Sequence, residues 1–99
     1  MNVNIQAIHF NIYGQLTRFV EKKAERIARR NPDIVDFTVN FRLIKHDEAL
    51  NKECTLKVTL PAGGEIVAVK TCPTFEESFD QCVEAIEHQV ERKTGKQDR

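Results

Sequence analysis

The chain has 99 residues, 40% of them hydrophobic and 30% charged, which suits one domain with a core that needs no disulfide staples. Fifteen Lys and Arg balance fifteen Asp and Glu, for a formal net charge of +0, so bulk charge predicts neither a nucleic-acid nor a membrane partner. No apolar run approaches the ~20 residues of a membrane span, and three widely spaced cysteines exclude a disulfide scaffold and suit reduced thiols in the cytoplasm.

A strand and a helix are predicted first along the chain. Residues 2–7 alternate between apolar and polar side chains, which is typical of a half-buried strand. Residues from about 13 to 30 change to helical spacing, with their apolar side chains on one face. Asn31-Pro32 ends this helix, because the residue before a proline avoids the α region.

Three more strands follow. Residues 35–43 alternate most clearly, with Val35 and every second residue after it on the apolar face. Residues 54–60 form the next strand, residues 61–64 turn the chain, and Ile66 begins the fourth strand.

The last helix is predicted to begin at Thr74, whose hydroxyl accepts from the amide of Glu77 while the Glu77 side chain returns to the amide of Thr74. Gly95 is expected to end it. Because each strand has one apolar and one polar face, we expect both helices on one face of a four-stranded sheet. The predicted fold class is α+β: a two-layer β-α-β-β-β-α sandwich, with a single domain over residues 1–94 and a basic, frayed tail over residues 95–99.

The first helix concentrates positive charge. Six basic residues against two acidic ones give it a net charge of +4. At ~100° per residue, four basic residues form a ridge without interleaved acids: Arg18, Lys22, Arg26 and Arg29. Lys23 and Arg30 lie nearer the buried face and are expected to reach solvent by extending their stems. A merely solvated face is the alternative, but like charges four residues apart repel each other, so the ridge favours a phosphate-rich partner.

The last helix has the opposite sign over most of its surface. Its acids share one broad face, whereas His88 and Arg92 lie on the flank that corresponds to the ridge of the first helix. Lys93 and Lys96 make the end of the chain basic. The predicted phosphate-binding set is therefore Arg18, Lys22, Lys23, Arg26, Arg29, Arg30, His88, Arg92, Lys93 and Lys96.

No active site or metal site is predicted. Cys82 and His88 are six residues apart, about 240° around a helix, and cannot share a metal ion there. Cys72 precedes the last helix, so a small thiol enzyme is one alternative, although a buried, inert thiol is the preferred interpretation. We expect no catalysis, no cofactor and no small-molecule substrate.

These features together resemble a known family. The strand at Val3 to Gln6, the basic helix, the long strand, the run Leu60 to Ala68 and the amphipathic last helix are similar in order and spacing to the ribosome hibernation promoting factor family. That family includes ribosome-associated inhibitor A and was formerly known as a sigma-factor modulation family. The resemblance covers Met1 to about Arg92 and implies the β-α-β-β-β-α fold.

The resemblance also implies a function. Such a protein lodges in the decoding channel of the small ribosomal subunit, overlaps the paths of messenger RNA and tRNA anticodon stems, and keeps idle ribosomes inactive during slow growth. Phosphates of ribosomal RNA would be its ligands, with little reading of bases. The family's basic positions correspond to three residues of each helix: Lys23, Arg26 and Arg29 on the first, and Ala85, His88 and Arg92 on the second.

Some positions depart from the family pattern. Glu76 stands where an aromatic residue is common, and Tyr13-Gly14 where Thr-Pro is usual. Because Ala85 removes one of three charges from the second helix, we expect the first helix and the tail to provide most of the attraction to RNA. The chain ends soon after the second helix, so we expect the short, monomeric form without a dimerising domain.

Two other functions are considered. A double-stranded-RNA-binding module has a similar core but needs a basic start to its last helix, and here that start is acidic from Glu76 to Glu77. A protein-interaction module would dock a basic partner through the acidic face of the last helix.

Overall fold

The computed structural model describes residues 1–44 and 49–94, with side chains described as far as residue 92. The predicted tail, with Gly95 and Lys96, lies outside the described residues. The elements follow the order expected from the sequence: β1 (Asn2–Ile8), α1 (Gly14–Arg30), β2 (Asp36–Leu43), β3 (Lys52–Thr59), β4 (Glu65–Cys72) and α2 (Phe75–Thr94).

The four strands form one mixed sheet in the order β1-β2-β3-β4. Strands β1 and β2 pair in parallel, since α1 carries the chain back between them, whereas β2–β3 and β3–β4 are antiparallel neighbours. Between β3 and β4 the amide of Leu60 donates to the carbonyl of Gly64 at 2.8 Å. Gly63 lies in this turn at φ 88°, a backbone conformation that glycine adopts without steric cost.

The core fills the space between one face of the sheet and the two helices. Alternate residues of β2, β3 and β4 are buried together with the apolar faces of α1 and α2. Phe79 of α2 is fully buried, and its ring lies 6.0, 6.2 and 6.3 Å from the rings of Phe19, Phe37 and Phe41. The predicted α+β fold, a two-layer sandwich with both helices on one face, is confirmed.

The ends of both helices are set by local interactions. Helix α1 ends where the Asn31 amide donates to the Ile27 carbonyl at 2.9 Å, directly before Pro32. Helix α2 begins after Thr74, whose hydroxyl accepts from the Glu77 amide at 3.1 Å, as predicted. The return bond differs from the prediction: Glu77 Oε1 accepts a hydrogen bond from the Thr74 hydroxyl at 3.1 Å instead of one from the Thr74 amide.

The start of β2 also differs from the prediction. The alternating pattern predicts Val35 on the apolar face, but its side chain is 44% exposed, whereas Ile34 is buried at 4%. The strand begins one residue later, at Asp36. Residues before a strand are not bound by the two-residue period, so Ile34 turns toward the core instead of Val35. Across the described parts of the chain, no helix combines the length and the apolarity needed to cross a bilayer.

Candidate nucleic-acid interface

The four ridge residues of α1 form an exposed basic strip. Arg18, Lys22, Arg26 and Arg29, hereafter the basic strip, follow one another at three- and four-residue steps, which align side chains along a helix. All four are exposed, and none forms an ion pair with any residue that the structure describes. Their charges are therefore available to an external anion.

A shallow groove runs along this strip. It is lined by Phe19 and by the cations Lys22, Lys23, Arg26 and Arg29, with Glu25 as the one acid among the lining residues. Three of these cations, Lys22, Arg26 and Arg29, have no carboxylate partner among the described residues, so the open depression attracts an anion.

Lys23 is held differently from the strip. Its ammonium lies 2.7 Å from Asp80 of α2 and 5.0 Å from the centre of the Phe19 ring. The helical wheel of α1 predicts a side chain that extends into solvent, but the neighbouring helix supplies a carboxylate within its reach. Lys23 therefore faces the seam between the two helices.

Arg30 lies at the same seam, two turns further along. Its guanidinium Nη1 is 3.4 Å from Glu87 Oε2, and its side chain is 65% exposed. Arg29 and Arg30 also occupy the last turn of α1, where positive charge offsets the negative end of the helix dipole. Arg30 thus reaches solvent as predicted, but next to a carboxylate of α2.

The predicted basic residues of α2 form a separate strip. His88 and Arg92 are exposed, and His88 shares a depression with Lys70, Gln81, Ala85 and one acid, Glu84. The carboxylates of α2 that meet α1 are those of Asp80 and Glu87. The acidic face of α2 therefore separates this strip from the basic strip of α1. The two strips occupy equivalent angles on their helices, but they do not form one continuous surface. Lys93 lies in α2 without a described side chain.

Lys70 is a candidate outside the predicted phosphate-binding set. It is an exposed residue of the edge strand β4, on the same side of the sheet as Ile66 and Ala68. The two-residue period of β4 in the sequence was the signal that could have indicated this side. Lys70 adds one positive charge beside His88, close to Ala85, where the family resemblance leads us to expect a basic residue.

The opposite face of the sheet offers no comparable surface among the residues described. Arg42 lies 3.2 Å from Glu53, and Lys57 lies 3.8 Å from Glu65. These cross-strand pairs neutralise the cations of that face. The unpaired positive charge of the described residues thus lies mainly on the helical layer.

Tyr13 and Glu76, two of the positions that depart from the pattern of the resembled family, are in contact. The Tyr13 hydroxyl donates to Glu76 Oε2 at 2.9 Å. Burial, the hydrogen bond and the negative charge of Glu76 together raise the pKa of Tyr13 to about 12. The contact ties the start of α1 to the start of α2, beside the stacked rings of Phe10 and Phe75, whose centres are 4.4 Å apart.

The three cysteines are part of the interior. Cys54 and Cys82 are fully buried and Cys72 is 5% exposed. The Cys82 thiol donates to the Cys54 backbone carbonyl at 3.3 Å. A separate interaction between the two thiols, together with burial, raises the pKa of the Cys54 thiol. Within the described residues, no three His, Cys, Asp or Glu side chains are arranged to hold a metal ion.

Comparison with known proteins matches nearly the whole chain to one family. Residues 3–98 match the family described as Sigma 54 modulation protein / S30EA ribosomal protein. A ribosomal subunit interface protein from Coxiella burnetii has a similar structure, with a TM-score of 0.83 at 23% identity, covering 97% of this chain and 100% of that one. The N-terminal domain of Protein Y from Thermus thermophilus has a TM-score of 0.75 at 22% identity, covering 93% and 98%. No curated protein matches by sequence.

Proposed function

Because this chain belongs to the Sigma 54 modulation protein / S30EA ribosomal protein family, we propose that it binds the small ribosomal subunit and keeps idle ribosomes inactive. It acts as a monomer in the cytoplasm and catalyses no reaction. The protein occupies the decoding channel, where it blocks messenger RNA and tRNA anticodon stems. The basic strip of α1 contacts phosphates of ribosomal RNA, and the smaller strip with His88, Arg92 and Lys70 contacts RNA beside it.

One observation carries this proposal: the basic strip is exposed and unpaired, among the residues described, in a protein with no net charge. Its rigid helix holds four cations at fixed spacing, which suits the phosphate backbone of a folded RNA more than a base sequence. Helix α2 presents acids to most of its surroundings, so it adds less to the attraction.

The test is co-sedimentation with purified small subunits. Replacing Arg26→Glu and Arg29→Glu together should abolish association at physiological salt, because it places two carboxylates where phosphates must approach. Both side chains are exposed, so circular dichroism should show an unchanged fold. In the wild type, a messenger RNA fragment bound in the channel should compete with the protein.

The matched control reverses two cations on the opposite face of the sheet. Arg42→Glu with Lys57→Glu changes the net charge by the same amount and should leave association nearly intact. Equal loss in both variants, or binding that messenger RNA does not affect, would contradict the proposed surface or the proposed channel. Tight binding to plain RNA duplexes with none to subunits would favour the double-stranded-RNA module.

A further inference from the structure

The seam between the two helices contains two ion pairs with the same spacing. Lys23 and Arg30 are seven residues apart on α1, and their partners Asp80 and Glu87 are seven residues apart on α2. The helices therefore run side by side in the same direction, and α2 presents carboxylates to two cations that would otherwise join the basic strip.

Lys23 is the more tightly held of the two cations. Its side chain is 27% exposed, compared with 65% for Arg30, and its distance to the carboxylate is 2.7 Å against 3.4 Å. The Phe19 ring lies 5.0 Å from the same ammonium, and that ring packs against Phe79 in the core. Lys23 thus lines the groove of the basic strip but already has an anion and an aromatic face as partners.

We propose that Asp80 determines the RNA selectivity of this surface by holding Lys23 until a correctly placed phosphate replaces the carboxylate. This inference rests on the proposed function, since it assumes that the groove of α1 binds RNA. Generic RNA contacts Lys22, Arg26 and Arg29 and leaves Lys23 with Asp80. A folded RNA whose shape brings a phosphate to the seam gains the additional contact with Lys23.

The physical reason is that RNA attraction without shape recognition grows with every available cation. An anion beside Lys23 removes one cation from that general attraction, and a fitting phosphate regains it. The pair remains in contact with solvent, with Asp80 48% exposed, and ion pairs at the surface are weak, so a phosphate can replace the carboxylate at low cost in free energy. Selectivity therefore depends both on weaker binding of generic RNA and on the additional contact that a fitting folded RNA makes with Lys23.

The experiment compares Asp80→Asn with Glu84→Gln. Glu84 lies one turn further along α2, is exposed, lines the depression of Lys70 and His88, and forms no ion pair with a described residue. Both variants therefore remove one negative charge from the same helix, each next to a proposed RNA contact. Affinity is measured for purified small subunits and for a short RNA duplex of arbitrary sequence. Asp80→Asn should raise duplex affinity about two- to fivefold more than Glu84→Gln does, the range of an exposed ion pair, and should raise subunit affinity less.

The Lys23→Gln background completes the test. There, Asp80→Asn should act no more strongly than Glu84→Gln, because the cation that Asp80 holds is gone. Equal duplex effects of the two acid replacements in the wild-type background would overturn the proposal, as would a loss of duplex affinity in Asp80→Asn. If wild-type protein does not bind subunits at all, the proposed function fails, and the selectivity proposal fails with it even when duplex binding responds to Asp80.

Discussion

At Tyr13 and Glu76, two side chains distant in sequence act as one unit. The hydroxyl and the carboxylate are 2.9 Å apart. The contact joins the residue before α1 to the first turn of α2, next to Phe75, which is buried in the core.

The pair predicts an unusual titration. Tyr13 is the one tyrosine of the chain, which has no tryptophan, so phenolate absorbance reports its ionisation directly. The midpoint in the folded protein should lie at about 12. Glu76→Gln should lower the midpoint, while burial, the largest cause of the shift, keeps it above the ordinary value near 10; Glu84→Gln should leave it unchanged. An unaltered midpoint in Glu76→Gln would show that the carboxylate does not influence the phenol.

The sign of the stability change follows from the same shift. The folded state holds the phenol proton more tightly than the unfolded state, so the contribution of Tyr13 is fully present below about pH 10. It is lost as pH rises through the folded pKa of about 12. The free energy of unfolding should therefore fall less between about pH 10 and pH 12 in Tyr13→Phe than in the wild type, because the variant has no phenol to ionise.

At the scale of elements, the start of α2 depends on one hydroxyl. Thr74 accepts from the Glu77 amide and donates to the Glu77 carboxylate, both at 3.1 Å. Thr74→Ala should lower the free energy of unfolding by about 1 kcal/mol, as measured in urea, because it leaves that amide without its cap. Thr74→Ser keeps the hydroxyl and should remain close to the wild type. A serine variant as unstable as the alanine variant would rule out the hydroxyl as the cause.

Local patterns explain why the elements themselves were predictable. The spacing of apolar residues and the Asn31-Pro32 pair define α1 within the chain, and its observed bounds, Gly14–Arg30, match the prediction. The burial of Ile34 was not predictable, because the two-residue alternation of side chains holds only within a strand. Ile34 lies in the connection from α1 to β2, where the path of the backbone decides which side chain enters the core.

The sequence predicted which side chains of each helix are exposed, but not which side chains of the two helices meet. Wheel positions identified the exposed cations of α1, but not the neighbour that Lys23 meets. Asp80 lies 2.7 Å from Lys23 because α1 and α2 pack side by side. The spacing of residues within either helix does not predict this packing. Lys70 was missed for another reason: it is the one cation in a mostly apolar strand, although the two-residue period of β4 indicates its side.

For the whole molecule, a net charge of +0 conceals a strong separation of charge. The basic strip lies on α1 and six acids lie on α2, while the described cations Arg42 and Lys57 on the opposite sheet face are paired across strands. Because salt screens the attraction between exposed charges over about 8 Å at physiological ionic strength, an RNA close to α1 is affected by this local surface more than by the net charge of the whole protein.

The salt dependence of binding to purified small subunits tests this account most directly. If the four cations of the basic strip each displace about one counterion, they should contribute roughly −3 to the slope of log affinity against log salt, and Arg26→Gln with Arg29→Gln should make the measured slope less steep by roughly 1.5. Arg42→Gln with Lys57→Gln should leave it unchanged. An affinity that is independent of salt, or a slope that the α1 replacements do not alter, would contradict the account.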